Sequence, residues 1–218
     1  MYRKIIIKAS AVIVTLFVEA QSALAYRPFV WHGVFVGMST GYSGSQWEGS
    51  VNETKWKGKG GGFVGSFFLG CAHTFPSKLT LGGEFRGAFP IVRKDGIKIG
   101  DVEENKMDVK SSLFAPMISL LVGHSSSFVR GTVGFSLGCG CAGTRMAGKI
   151  NGREFTRSIS AFQPEGGVFW VIKMWRNMAM RFDGRCAAIS EQEKTADAIK
   201  TQVSALRFSF EIGLLYGL

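Results

Sequence analysis

The sequence predicts an all-β fold, an eight-stranded antiparallel up-and-down transmembrane β-barrel, and three observations carry that prediction. The last stretch alternates: Leu206, Phe208, Phe210, Ile212, Leu214, Tyr216 and Leu218 are apolar, while the residues between them are mostly polar or small (Arg207, Ser209, Glu211, Gly213, Gly217). Successive side chains of a strand point to opposite faces, so this period of two marks a strand. About nine to eleven such residues let a tilted strand cross a bilayer. The alternation recurs along the chain, and the connections read long, short, long, short, long, short, long. An up-and-down barrel with both ends on one side has that rhythm. Finally, no segment keeps apolar residues at i, i+3, i+4 and i+7 for long, so a helical fold has no support.

The N-terminus reads as an export signal. Arg3, Lys4 and Lys8 precede a short apolar core from Ala9 to Val18, and Ala23 and Ala25 stand at the small-residue positions of a cleavage site. A spanning helix needs about twenty apolar residues, so residues 1–25 are expected to be a signal peptide and 26–218 the barrel domain. The chain of 218 residues carries a net charge of +10, and it stays basic with the leader set aside. In an exported protein that charge suits phosphorylated lipid at a membrane surface rather than nucleic acid. High glycine and phenylalanine content suits strands with aromatic outer faces. Cys71, Cys139, Cys141 and Cys186 follow the leader, and Cys139-Gly-Cys141 has no histidine close by in sequence. No metal site and no cofactor are expected.

The strands follow in order. The first, about Val30 to Tyr42, puts Val34, Val36, Met38, Thr40 and Tyr42 on one face and Phe35 among small residues on the other. A long polar segment, Ser43 to Gly60, leads to a second strand over Gly61 to Thr74 and a tight turn at Pro76. The third, Leu79 to Phe89, opposes Leu79, Leu81, Phe85 and Phe89 to Thr80, Glu84 and Arg86. A second long segment runs to about Asp108. The fourth strand, Ser111 to Gly123, is apolar on both faces and contains Pro116; Phe114, Ile118, Leu120 and Val122 are taken to face out. The fifth opposes Val133, Phe135 and Leu137 to Arg130, Thr132 and Ser136, and a third long segment, Gly138 to Thr156, follows. The sixth spans Arg157 to Val171, and the seventh, Asn177 to Ile189, alternates Met178, Met180 and Phe182 with Arg181, Asp183 and Arg185. A fourth long segment over Ser190 to about Thr201 precedes the final strand.

Alternation alone fits a soluble barrel turned the other way, with its apolar face inside. Lipid contact is favoured because the polar face is mostly Gly, Ser and Thr with a few charges of both signs, as a narrow lumen is filled. The asymmetric connections agree, as do Trp31, Phe75, Trp170, Trp175 and Tyr216, expected as an aromatic girdle at the periplasmic end.

The stretches Trp31 to Tyr42 and Gly61 to Gly70 resemble the first two strands of small alphaproteobacterial outer-membrane proteins of the OmpA-like β-barrel, or porin, type. Gly166-Gly-Val-Phe-Trp170 and Met180-Arg-Phe-Asp-Gly-Arg185 are similar to further patterns of that family. The resemblance implies an eight-stranded barrel of the Gram-negative envelope with roles in envelope integrity, adhesion or weak pore activity. It also implies that Phe210, Ile212, Leu214, Tyr216 and Leu218 form an assembly signal read by the barrel assembly machinery, with Leu218 where the family usually has Phe. Where the family often carries an inward Glu this chain has Phe169, and Glu165 is the candidate replacement.

The candidate site is the lumen: Glu84, Arg86, Arg130, Glu165, Arg181, Asp183, Arg185, Arg207 and Glu211. Charges excluded from lipid must be paired or hydrated, and a narrow barrel allows both. The network is expected to order the interior, or alternatively to line a narrow ion path. No catalysis is expected, because His32, His73 and His124 all fall at the predicted periplasmic end, away from any site at the outer leaflet. Expected partners are outer-membrane lipid including lipopolysaccharide, the assembly machinery and a host-surface ligand on the loops, for a monomer at the cell surface. A periplasmic ligand-binding barrel is the remaining alternative.

Overall fold

The computed structural model describes residues 31–100, 105–111, 114–126, 131–150, 152–175, 177–196 and 199–217. The leader expected over residues 1–25 lies outside them. Nine strands appear among the described residues: β1 His32–Val51, β2 Thr54–Thr74, β3 Leu79–Lys98, β4 Lys106–Ser111, β5 Ala115–Ser126, β6 Gly131–Ile150, β7 Arg153–Lys173, β8 Met178–Ala196 and β9 Ile199–Gly217. Every pairing among them is antiparallel. Neighbours in sequence pair from β1 to β3 and from β6 to β9, β4 and β5 each pair with both β3 and β6, and β9 pairs back with β1. The sheet therefore closes into a ring.

The expected fourth strand is two segments rather than one. Pro116, which has no N–H for the ladder, stands near the start of β5, and the β3 register shifts between Lys94 and Ile97 opposite β4. The outward facing of Phe114, Ile118, Leu120 and Val122 is as expected.

Among the described residues, most of each long polar segment is strand. β2 and β7 are each 21 residues long, about twice what a tilted bilayer crossing needs. Ser43 to Gly60 continues the β1–β2 ladder to Val51 opposite Thr54, and Gly138 to Thr156 continues β6–β7 to Ile150 opposite Arg153. The first hairpin turns on Asn52 (φ 47°) and Glu53 (φ 68°), the left-handed pair that a two-residue hairpin requires. Asn52 ties that tip to β9, its side-chain oxygen accepting from the Lys200 N–H at 2.9 Å. These segments look polar because their outward residues are Lys, Glu and Gln. The inward positions instead carry Trp47, Val51, Trp56, Ile97, Met107, Met146, Ile150, Phe155 and Val203, which form one buried core.

Two bands of opposite polarity result. Toward the short turns the outward face is apolar on every side of the ring, with Phe63 73 %, Ile91 68 % and Leu137 67 % exposed. A continuous band of this kind is unlike the surface of a soluble monomer, whose largest apolar patch is roughly 300–600 Å². Beyond it, toward the long hairpins, the exterior is charged and the interior apolar.

The short-turn end is closed by an aromatic floor of Phe35, Phe68 and Phe169 with Leu121, Val171 and Leu215. Inward glycines make room for it: a Cβ on Gly37 would lie 2.2 Å from the Phe68 ring, and one on Gly70 2.4 Å from the Phe35 ring. Trp31, expected in the lipid-facing girdle, is instead buried in this floor, its ring 4.7 Å from Phe35. Its backbone N–H donates to Thr74 Oγ1 at 2.9 Å, which turns the chain into the ring mouth. Phe75, Trp175 and Tyr216 are exposed, and Trp170 is half-buried against Phe182 at 5.6 Å.

Candidate functional site

Above the aromatic floor, alternation delivers charged side chains inward from four strands: Glu84 and Arg86 from β3, Glu165 from β7, Arg181, Asp183 and Arg185 from β8, and Arg207 and Glu211 from β9. All eight are buried. Charges at this depth avoid the several-kcal/mol cost of isolation only by pairing, and the pairing is extensive. Arg181 Nη1 donates to Glu84 Oε2 at 2.5 Å and Nη2 to Asp183 Oδ1 at 2.9 Å. Arg185 bridges three carboxylates, reaching Glu165 Oε1 at 2.8 Å, Asp183 Oδ1 at 2.9 Å and Glu84 Oε1 at 3.0 Å. Arg86 joins Glu165 and Glu211, each at 2.8 Å. The Arg181 guanidinium also lies 5.0 Å from the Phe68 ring centre and 5.6 Å from that of Phe169, so the network rests on the floor through cation–π contacts.

The expected lumen residues are thus brought together, with two qualifications. Arg207 stands apart, donating to Ser111 Oγ at 3.1 Å, and Arg130 lies outside the described residues. Glu165 points into the lumen, and Phe169 is part of the floor. The assembly-signal positions Phe210, Ile212, Leu214 and Tyr216 all face outward and are exposed; Leu218 lies outside the described residues.

Several participants were not anticipated. Ser39 Oγ and Ser66 Oγ donate to Glu211 Oε2 at 2.6 and 2.7 Å, completing a carboxylate that Arg86 only half satisfies. Thr74, Thr80, Ser125 and Thr132 form a buried hydroxyl chain across the short-turn end, with spacings of 2.9, 3.1 and 2.7 Å. Their common signal is a hydroxyl in the inward phase. It was legible in sequence, but small polar residues there looked like mere filling.

The arrangement leaves little free space. The void bounded by Arg86, Gln163, Glu165, Arg185, Arg207 and Glu211 measures about 10 Å³, room for about one water. His32 and His73 meet at the short-turn end with Nδ1 atoms 3.1 Å apart, and His124 stands opposite Leu79 at that same end. Among the described residues no group of three or more His, Cys, Asp and Glu side chains is placed to hold a metal ion. The four cysteines are free and exposed.

No family model matches the chain, and no curated protein matches it. Solved structures do. The chain is similar to the outer membrane protease OmpT from Escherichia coli, with 11 % identity, a TM-score of 0.54 and coverage of 90 % of this chain and 99 % of that one. It is also similar to the outer membrane protein OprG from Pseudomonas aeruginosa (13 % identity, TM-score 0.46, 87 % and 98 % covered). A major outer membrane protein from Thermus thermophilus is a third (14 % identity, TM-score 0.42, 84 % and 99 % covered). At 11 % identity the likeness to OmpT is one of fold alone, an antiparallel sheet that closes into a ring.

Proposed function

We propose that the chain is a closed, non-conducting, non-catalytic outer-membrane barrel whose role, structural and adhesive, is carried by its extracellular surface. The ring has eight staves, because β4 and β5 occupy one position between β3 and β6. The apolar band sits in the bacterial outer membrane, the short turns face the periplasm, and the hairpin extensions stand outside the cell. Its partners are the outer-membrane lipid, the barrel assembly machinery that receives the outward face of β9, and a ligand at the cell surface. The barrel acts as a monomer. Adhesion is assigned to rigid hairpins rather than to loops, since the extensions are paired ladders around their own core.

The observation that carries this reading is the double closure of the lumen, by the aromatic floor and by the interlocked charge network. A conducting path would have to break several buried ion pairs at once. Catalysis at the outer leaflet has no histidine to use among the described residues, and the lumen carboxylates are already occupied by arginines.

Two measurements test it. Extracted from the outer membrane, the protein should migrate differently on gels with and without boiling, as closed barrels do; extraction with the soluble periplasmic fraction instead would establish the ligand-binding alternative. In planar bilayers it should give no steady conductance. Regular channels that disappear in Arg181→Gln would establish the narrow-pore alternative.

A further inference from the structure

We propose that the outward face of β3, β4 and β6, just beyond the apolar band, is a binding site for the phosphate groups of an outer-leaflet glycolipid. The inference rests on the outer-membrane reading above. Register sets Arg93 opposite Lys110, and Lys110 opposite Arg145. Directly opposed residues of an antiparallel ladder share a face with Cβ atoms roughly 4.5–5.5 Å apart, and like charges there repel. Three cations abreast are therefore unfavourable until an anion bridges them.

Their surroundings supply only part of that anion. Arg93 is paired with Asp95 and lies 3.8 Å from Asp108. Lys110 and Arg145, both exposed, have no ion-pair partner among the described residues. The row is flanked by Gly61 on β2, over which the Tyr42 hydroxyl lies, and by Ser158 on β7, both small and uncharged. A second row farther out, Lys98, Lys106 and Lys149, ends instead against Glu154 and carries its own counter-charge.

Height selects the ligand. Arg93 is two residues beyond Ile91, which is 68 % exposed, hence about 7 Å farther along the strand. The headgroup layer on each side of a bilayer is of order 5–7 Å thick, so the row lies among lipid phosphates rather than in open solvent. The opposite side of the ring differs: beyond Tyr42 and Leu206 the next outward positions of β1 and β9 are the neutral Gly44, Gln46 and Ser204 and the acidic Glu48, with no cation among them. Arg93, Lys110 and Arg145 are the cations that stand abreast nearest the apolar band, and two of them are guanidinium forks that match phosphate oxygens in pairs.

The test uses the full chain in phosphatidylcholine nanodiscs doped with bisphosphorylated lipid A, with retained lipid A counted by native mass spectrometry. The wild type should keep lipid A, and R93Q/K110Q/R145Q should keep at least about tenfold less, as expected for three cations beside an anionic surface. Dephosphorylated lipid A should be lost to the same degree, while K55Q/K57Q/K59Q on β2 should behave as wild type. Equal retention by the R93Q/K110Q/R145Q variant, equal retention of the dephosphorylated lipid, or an equal loss in the β2 variant would each overturn the proposal. Gel mobility with and without boiling checks that the variant is folded. If it is not, retention by wild type that is unchanged between low and high salt overturns the proposal just as well. Failure of the wild type to insert at all would count against the outer-membrane reading, which separates the two.

Discussion

The membrane band and the hairpin extension are built from the same strands, yet their polarities are reversed. In the band, Phe63, Phe67 and Leu69 of β2 point out and Ser66 points in; in the extension, Lys55 and Lys57 point out and Trp56 points in. The backbone phase does not change between them, only the solvent outside. Apolar groups go outward where lipid receives them and inward where water would not. Charges follow the opposite rule, so the band holds its arginines and carboxylates inside while the extension wears them. The interiors consequently cohere by different means, directional ion pairs in one and non-directional packing in the other.

The largest effect should come from breaking the directional interior. Arg181→Ala leaves the buried Glu84 and Asp183 carboxylates with Arg185 as their one remaining guanidinium, and loss of one partner of a buried pair costs about 3–5 kcal/mol. Urea unfolding in detergent micelles should register it across the whole barrel; a loss below about 1 kcal/mol would mean that the network is slack.

Trp47→Ala attacks the packed interior of the extension. Truncating a buried Trp costs about 3–5 kcal/mol, but here the loss should remain local. Hydrogen exchange should quicken in the β1–β2 hairpin around Val51 and Thr54 while the band stays protected. Equal deprotection of both regions would show that they fold as one unit.

The outward face offers a direct contrast. Leu137→Arg places a cation in the lipid-facing band, at a cost of about 2–4 kcal/mol near the bilayer midplane. Thr156→Arg on the exposed face of the extension should change stability by less than about 0.5 kcal/mol. Similar costs at both positions would put the boundary between the bands in the wrong place.

The smallest effect is expected from Lys57→Ala. Its ion pair with Glu48 at 3.0 Å joins side chains that are 76 % and 59 % exposed, and such pairs contribute within about 0.5 kcal/mol. A larger loss would reveal an order in the exterior of the extension that a solvated surface does not need.

Much of this was readable in the residues one at a time. The final strand's phase is as the alternation implies, with Arg207, Ser209 and Glu211 inward and Phe208, Phe210 and Ile212 outward. The lumen charges were legible for the same reason, since a charge in the non-lipid phase has nowhere else to go. The extension is hidden in the sequence because Ser43 to Gly60 is polar on average, and average polarity masks an alternation whose inward members, Trp47 and Trp56, are few. Trp31 sits in the floor rather than the expected girdle because an aromatic near a strand end suits either an interface or a plug, and its contacts with Phe35 and Phe169 decide between them.

Sequence alone determined the strand faces, because the side-chain period of a strand is a local consequence of backbone geometry. Tertiary structure alone decided the partners. Arg86 finds Glu211, and Glu84 finds both Arg181 and Arg185, across a ring whose register is set by many backbone pairings at once. The same holds for the row of Arg93, Lys110 and Arg145. Each was visible as a basic residue in a polar segment, but a charge becomes a neighbour of another charge only when the strands are aligned.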